Sequence, residues 1–428
     1  MKKGISVFFA LMIGVVGCDD VTSSSHEDVM SNKVDTLVIK DTTIVSKLDT
    51  MVLSKQDTLV QKDTVVLSKK DTLVKKDTLI QKDTLIIIPQ DTGKGILDFN
   101  PESSMIPILE NLVHQKRDGS FSIREKQVVL LHFTDIHGHE ENLKRIKEFY
   151  DHYSKYIDVV VHTGDAISDK WGDSFDFWTN AGASGFLNIL GNHDVNFFDK
   201  NNNKVDVTQK QVYDRYFSPF VSEWGASFPQ NVAEEGLMYY YKDIDKGAES
   251  QRVKIRLIAL DEYYWDDKEK TWLENVLDDA RTNGFAVIIF RHESSPIKKF
   301  DNCPFVSQET FKGRPLLDAE TAVDNFISDG GEFVMWVGGH HHQDDVGVLL
   351  DHTHQLAFNG DIAALKLTTE WSDSWRKIGT KSQDCFTLIG IDRYEKVVRF
   401  VRVGADMDRY ERKKESMAIN YATMEMIN

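Results

Sequence analysis

From about residue 95 onward the sequence predicts a mixed α/β domain whose core is formed by two sheets covered by helices. Two observations carry this. Apolar runs of strand length alternate with stretches of helical spacing, and the length beyond residue 95 is ample for one such core. The strand-like runs are 128–133, 158–161, 186–190, 253–260, 285–290 and 333–337. Between them, 140–153 places Leu143, Ile146, Phe149 and Tyr150 at helical intervals, and 268–281 has the same spacing. The segment 196–238, rich in Tyr, Phe and Trp, interrupts this alternation and is a candidate cap over a site, the other reading being that its aromatics pack it onto the core.

The chain before residue 95 is of a different kind. Residues 1–17 open with Lys2 and Lys3, run apolar over 5–16 and close on small residues before Cys18, the pattern of a secretory signal peptide. That run is too short to span a bilayer as a mature helix. From 35 to 92, Asp35, Asp41, Asp49, Asp57, Asp63, Asp71, Asp77, Asp83 and Asp91 each precede Thr, with steps of 6, 8, 8, 6, 8, 6, 6 and 8. An even period keeps side chains on one face of an extended chain and fits neither a helix nor a heptad. Fully extended at ~3.3 Å per residue, the segment reaches on the order of 190 Å. We read it as a stalk, with self-association through its β-branched residues as the other reading. The expected organisation is a signal peptide at 1–17, a repetitive spacer at 18–94, the α/β domain at 95–410 and a tail at 411–428.

The net charge of −17 argues against a nucleic-acid surface, which concentrates Lys and Arg. Cys303 and Cys385 are an even pair, compatible with one disulfide or with two buried thiols.

Five strand-like runs end in groups able to bind metal. They are Asp135-Ile136-His137, Gly164-Asp165, Gly191-Asn192-His193-Asp194, His292 and Gly339-His340-His341-His342. In α/β sheets, ligands gather beyond the carboxyl ends of strands, so five such endings can converge. If the chain stays locally extended there, Asp135 and His137 point to one side, as do His340 and His342, while His341 points away.

These segments, in this order, resemble the calcineurin-like metallophosphoesterase superfamily, whose pattern is D-x-H, GD, GNH[DE], H and GHxH, over roughly residues 127–404. Residues 15–18 likewise resemble the lipobox of bacterial lipoproteins, which implies a lipid on Cys18 and an exported, membrane-anchored protein. The first resemblance implies a four-layer αββα sandwich and two divalent metal ions, with manganese, iron and zinc all suited to the ligands. It implies Asp135, His137 and His342 at one ion, Asn192, His292 and His340 at the other, and Asp165 bridging both. It assigns His193 to the phosphate or leaving group, with Asp194 fixing its imidazole. The implied reaction is hydrolysis of a small phosphomonoester or phosphodiester by a metal-bridging hydroxide. Arg291, beside His292, is expected either to contact a phosphate oxygen or to make a surface ion pair.

Two other functions fit parts of the chain. One is a structural or adhesive surface lipoprotein with an inert domain, against which stands the complete set of seven ligand positions. The other is an extracellular nuclease, against which stands the acidic charge.

Overall fold

A computed structural model describes residues 114–115, 121–122, 127–167, 186–199, 201–219, 221–247, 249, 252–300, 313–360, 363, 384–404 and 416–427. The signal peptide, Cys18, the repeat and Cys303 lie outside the described residues. Both large sheets belong to the compact unit formed by Gly95–Gln115 and Ser122–Asn428.

The first sheet begins with β1 (Gln127–Phe133), β2 (Val159–His162) and β3 (Phe186–Asn188), all parallel. The second sheet takes β4 (Tyr240–Lys246), β5 (Val253–Ala259), β6 (Ala286–Glu293), β7 (Ile297–Lys299), β8 (Glu332–Gly339), β9 (Asp345–Leu349) and β10 (His352–Asn359). The chain then returns to the first sheet with β11 (Cys385–Asp392), β12 (Val397–Gly404), β13 (Ser416–Asn420) and β14 (Glu425–Ile427). Strand order is β14-β13-β12-β11-β1-β2-β3 in the first sheet and β4-β5-β6-β8-β10-β9-β7 in the second. Residues 416–427, expected within a tail, therefore supply two further strands, and the domain runs past residue 410.

β1 is buried along its whole length, which is why it reads as a continuous apolar run rather than an alternation. Between the sheets, Phe358 of β10 packs 5.4 Å from the His132 ring of β1 and 4.9 Å from Phe400 of β12. Helix α1 (Glu140–Tyr153) covers the first sheet, with Phe149 set 4.7 Å from Phe386 and Tyr150 5.3 Å from Phe186. Two further helices cover the second sheet. We number the short helices of the segment after β3 as α2 (Gln209–Tyr216) and α3 (Val232–Glu235), so these two are α4 (Asp267–Asn283) and α5 (Leu317–Ser328). Leu273, Val276, Leu277 and Ala280 of α4 share one core with Ala319, Val323 and Phe326 of α5 and with Val287 and Ile289 of β6. Burying each such Val, Leu, Ile or Phe contributes roughly 1.5–3 kcal/mol. The result is the four-layer αββα sandwich.

α4 begins where Asp266 accepts from the amides of Lys268 and Glu269 and stops at Gly284 in the left-handed region. The segment 196–238 spends its aromatic residues inward. Phe197, Phe217 and Trp224 are fully buried, and Trp224 packs 5.2 Å from Tyr240 of β4. Of the two readings of this segment, its aromatic residues follow the second, packing onto the sheet.

Candidate metal centre

Because β1, β2, β6 and β8 run parallel within their sheets, their carboxyl ends deliver Asp135, Asp165, His292 and His340 to one place. His292 lies within β6 itself, one residue from its end, whereas the other motifs follow their strands. Asp135, His137, Asp165 and His342 have ligand atoms within 4.8 Å of one another, and so do Asp165, His292 and His340. Asp165 belongs to both groups. Asn192 joins the second, its Oδ1 lying 3.3 Å from His292 Nε2.

The backbone reaches this arrangement by a route other than extension. Asp135, His137, Asp165, His340 and His342 all adopt the left-handed region, with φ of 54°, 45°, 56°, 73° and 54°. Non-glycine residues seldom do so, and strained positions of this kind cluster at active sites and ligand-binding loops. The D-x-H and H-x-H pairs therefore converge through kinked loops. Those loops are joined to one another: Asp135 N–H donates to Gly164 O at 3.0 Å, His137 N–H to Asp165 O at 2.9 Å and Gly138 N–H to Ala166 O at 2.9 Å.

Asp135, Asp165 and His292 are held by hydrogen bonds from the surrounding loops. Asp135 Oδ2 accepts from Thr134 Oγ1 at 2.6 Å and from His340 N at 2.9 Å. Its Oδ1 is buried and lies 3.2 Å from His342 Nε2 and 3.7 Å from His137 Nε2 without hydrogen-bond geometry. Asp165 Oδ1 accepts from His193 N at 2.9 Å, while Oδ2 lies 3.2 Å from His292 Nε2 and 3.7 Å from His137 Nε2. His292 Nδ1 sits 2.6 Å from Thr163 O; a carbonyl can only accept, so Nδ1 carries hydrogen and Nε2 faces the cluster. There Nε2 lies 3.2 Å from His340 Nδ1. A third grouping, Glu293 with His340 and His341, shares His340.

Electrostatics point the same way. Burial opposes charge on His292, but Asp165 and Asp135 outweigh it and raise its pKa to about 10. Burial likewise opposes ionisation of Asp135, yet the surrounding His342, His137 and His292 hold it well below the usual carboxylate range. His340 is kept at about 3 by burial and by the charge on His292, so it remains a neutral lone-pair donor. A buried cluster of ionised carboxylates and facing imidazole nitrogens attracts cations. The orphaned Asp135 Oδ1 and the O and N donor set fit divalent metal ions.

Glycines let the loops approach this closely. A Cβ on Gly191 would collide with the amide and carboxylate of Asp165, and one on Gly164, at φ 94°, would stand 2.5 Å from His292 Nδ1.

Two expectations need correction. Asp194 does not orient the His193 ring: its carboxylate accepts from the amides of Gly191 at 2.8 Å, Ala166 at 3.2 Å and Ile167 at 3.0 Å. It clamps the loop after β3 to the loop after β2. Arg291 neither faces a substrate nor lies at the surface. It is buried, with Nη2 donating to Glu262 Oε2 at 2.8 Å and to Arg314 O at 2.7 Å and Nη1 to Ser295 Oγ at 3.1 Å, because its strand is covered on both faces. His193 is the open imidazole, its side chain 33% exposed against 6% for His137 and 0% for His292. Its ring packs 4.8 Å from His137. The support given by Thr134 and Thr163 was not anticipated from the sequence, although Thr134 directly precedes Asp135.

A family model described as calcineurin-like phosphoesterase matches residues 128–344, just over half the chain. No curated protein matches the chain significantly. Among solved structures, the chain is similar to a dimetal phosphatase from Danio rerio at 12% identity and a TM-score of 0.45, covering 69% of this chain and 99% of that one. It is also similar to the Plasmodium protein GAP50, described as the anchor in the inner membrane complex, at 14% identity and a TM-score of 0.41, covering 65% and 85%. A third, the protein TT1561 of Thermus thermophilus, has 8% identity and a TM-score of 0.36, with coverage of 65% and 99%.

Proposed function

The chain belongs to the calcineurin-like phosphoesterase family, and from that premise we propose that it hydrolyses a small phosphomonoester or phosphodiester at two divalent cations. The observation that carries the reading is Asp165, the residue shared by two ligand groups. Asp135, His137 and His342 would hold one cation, Asn192, His292 and His340 the other, with Asp165 between them. Cations so placed polarise phosphoryl oxygens and lower the pKa of water.

The remaining steps belong to the protein. Thr134 and the His340 amide hold Asp135, and Thr163 O holds the His292 tautomer, so both ligands are fixed before substrate arrives. His193, whose amide donates to Asp165 and whose ring is partly exposed, would move a proton to the leaving oxygen. Asp194 keeps the loop bearing His193 in register with Asp165.

Export and a lipid on Cys18 are part of the same proposal and rest on the pattern of residues 1–18. No helix among the described residues is long and apolar enough to cross a membrane. The test is turnover of a panel of phosphomonoesters and phosphodiesters by the purified protein loaded in turn with manganese, iron and zinc. Turnover with at least one metal and its loss on chelation is expected; no turnover of any ester by metal-loaded protein refutes the reading.

A further inference from the structure

Tyr263 lies in the loop that follows β5, and its ring centroid is 6.3 Å from that of His292. Its hydroxyl is buried and makes no hydrogen bond to any described residue. A buried hydroxyl left unpaired costs about 1–3 kcal/mol, and folded proteins keep few of them.

The loop has no freedom to bring that hydroxyl elsewhere, because the two residues before it are clamped. Asp261 N donates to Glu269 Oε1 of α4 at 2.8 Å. Glu262 accepts from Arg291 Nη2 at 2.8 Å through Oε2 and from Glu293 N at 2.6 Å through Oε1. The buried arginine thus has a purpose: it fixes the loop carrying Tyr263. Rigid support around an unpaired donor is the arrangement expected of a preorganised binding group.

The surroundings say what the hydroxyl meets. A phenol keeps its proton at neutral pH and can donate it in a hydrogen bond, so an acceptor fits this unpaired hydroxyl. Its charged neighbours are the carboxylates of Glu262, Asp165, Glu293 and Asp194. Among four carboxylates an anionic acceptor is tolerated only beside cations, which the adjoining His292, His340 and Asn192 group is built to hold. Resting on the phosphoesterase reading above, we infer that the Tyr263 hydroxyl donates a hydrogen bond to a phosphoryl oxygen of the substrate on the His292 side of the site. It is a substrate-binding residue that works alongside the metals without ligating them.

Tyr263→Phe tests this with four readouts. Metal content should stay at the wild-type value. The kcat/KM for a phosphomonoester should fall about 10²-fold, the scale for one oxyanion donor, and the inhibition constant of inorganic phosphate should rise. The thermal midpoint of the metal-free variant should hold or rise, because the hydroxyl has no protein partner to lose. Tyr264→Phe, next along the chain, serves as a control with unchanged kinetics. Unchanged kcat/KM and phosphate inhibition in Tyr263→Phe would overturn the inference and leave the phosphoesterase reading intact, the hydroxyl then meeting water alone. A lowered thermal midpoint with unchanged kinetics would also overturn it, in favour of a structural bond. Wild-type protein that binds metal but hydrolyses no ester and is not protected by phosphate overturns both.

Discussion

Asp165→Asn removes one negative charge and almost no volume, and the geometry sets what that charge supports. Its Oδ2 is 3.2 Å from His292 Nε2, both groups fully buried. At that distance and an effective dielectric of ~20, Coulomb attraction is about 5 kcal/mol. The rise of the His292 pKa to about 10 from 6.5, at ~1.4 kcal/mol per unit, is of the same order. In metal-free protein near pH 7.5, His292 therefore carries a proton that a cation must displace. Folded metal-free protein titrated with manganese or zinc in two buffers of different ionisation enthalpy reports the protons released. Wild type should release about one proton more than Asp165→Asn, because the variant holds His292 neutral beforehand. Both metals should also bind more weakly in the variant, since the two ligand groups share this carboxylate. Two tightly bound metals, wild-type proton release and a near-normal rate in Asp165→Asn would refute the assignment of Asp165 to both sites.

His193→Ala should lower kcat and kcat/KM together by about 10²–10⁴ with metal content unchanged, and by less on a nitrophenyl ester than on an alkyl ester; equal losses on the two esters argue against proton transfer. Gly191→Ala should weaken metal binding by displacing Asp165, whereas Gly330→Ala, whose Cβ meets nothing within 4 Å, should cost about 1 kcal/mol of stability and leave metal content alone; metal analysis of the two variants decides it. Arg291→Ala should destabilise the fold by about 3–5 kcal/mol in denaturant titrations, because it leaves Glu262 buried and unpaired. Burial, together with the charge of Glu262, raises the Asp261 pKa to about 7. Between the unfolded value near 4 and that value the folded state binds more protons, so this group's contribution to stability should fall as pH rises across the window, and Asp261→Asn should flatten that slope in unfolding midpoints measured from pH 4 to 8.

The positions of the first core strands along the chain and the motifs that end them were legible because both are local signals. An apolar run such as 128–133 marks a strand whatever surrounds it, and Glu140–Tyr153 follows from the spacing of Leu143, Ile146 and Phe149. The later strands were less legible: β13 is only five residues long, sets Met417 and Ile419 between half-buried Ser416, Ala418 and Asn420, and is identified by pairing with β12, a non-local fact. Side-chain roles followed the same division. The sequence shows Asp194 beside His193, and adjacency suggested that one orients the other. Only the fold reveals that Ala166 and Ile167, 28 and 27 residues away, aim their amides at that carboxylate. Arg291 misled for the opposite reason, since its partner Glu262 is 29 residues distant and its burial depends on two neighbouring strands. Tyr263 carries no motif at all, and its orphaned hydroxyl exists only in three dimensions.

The backbone of the ligand loops carries a cost that the rest of the domain must offset. A non-glycine residue in the left-handed region costs of order 1–3 kcal/mol, and five of the seven ligand positions lie there. Taken together that is of the same order as the net stability of a whole domain, ~5–15 kcal/mol. The polypeptide supplies restraints of its own. Three backbone hydrogen bonds join the Asp135 loop to the Asp165 loop, and Ala363 N–H donates to Thr134 O at 2.9 Å on the other flank. Asp194 accepts three amides where a neutral side chain would accept fewer, and burial together with the Asp165 charge raises its pKa to about 6, the electrostatic cost of standing so close to that carboxylate. Short polar residues at the strained positions also matter, since Asp and His tolerate left-handed backbone where β-branched chains do not. These hydrogen bonds act on the strained loops directly, tying the Asp135 and Asp165 positions to each other and to the loop after β3, and so offset part of that cost.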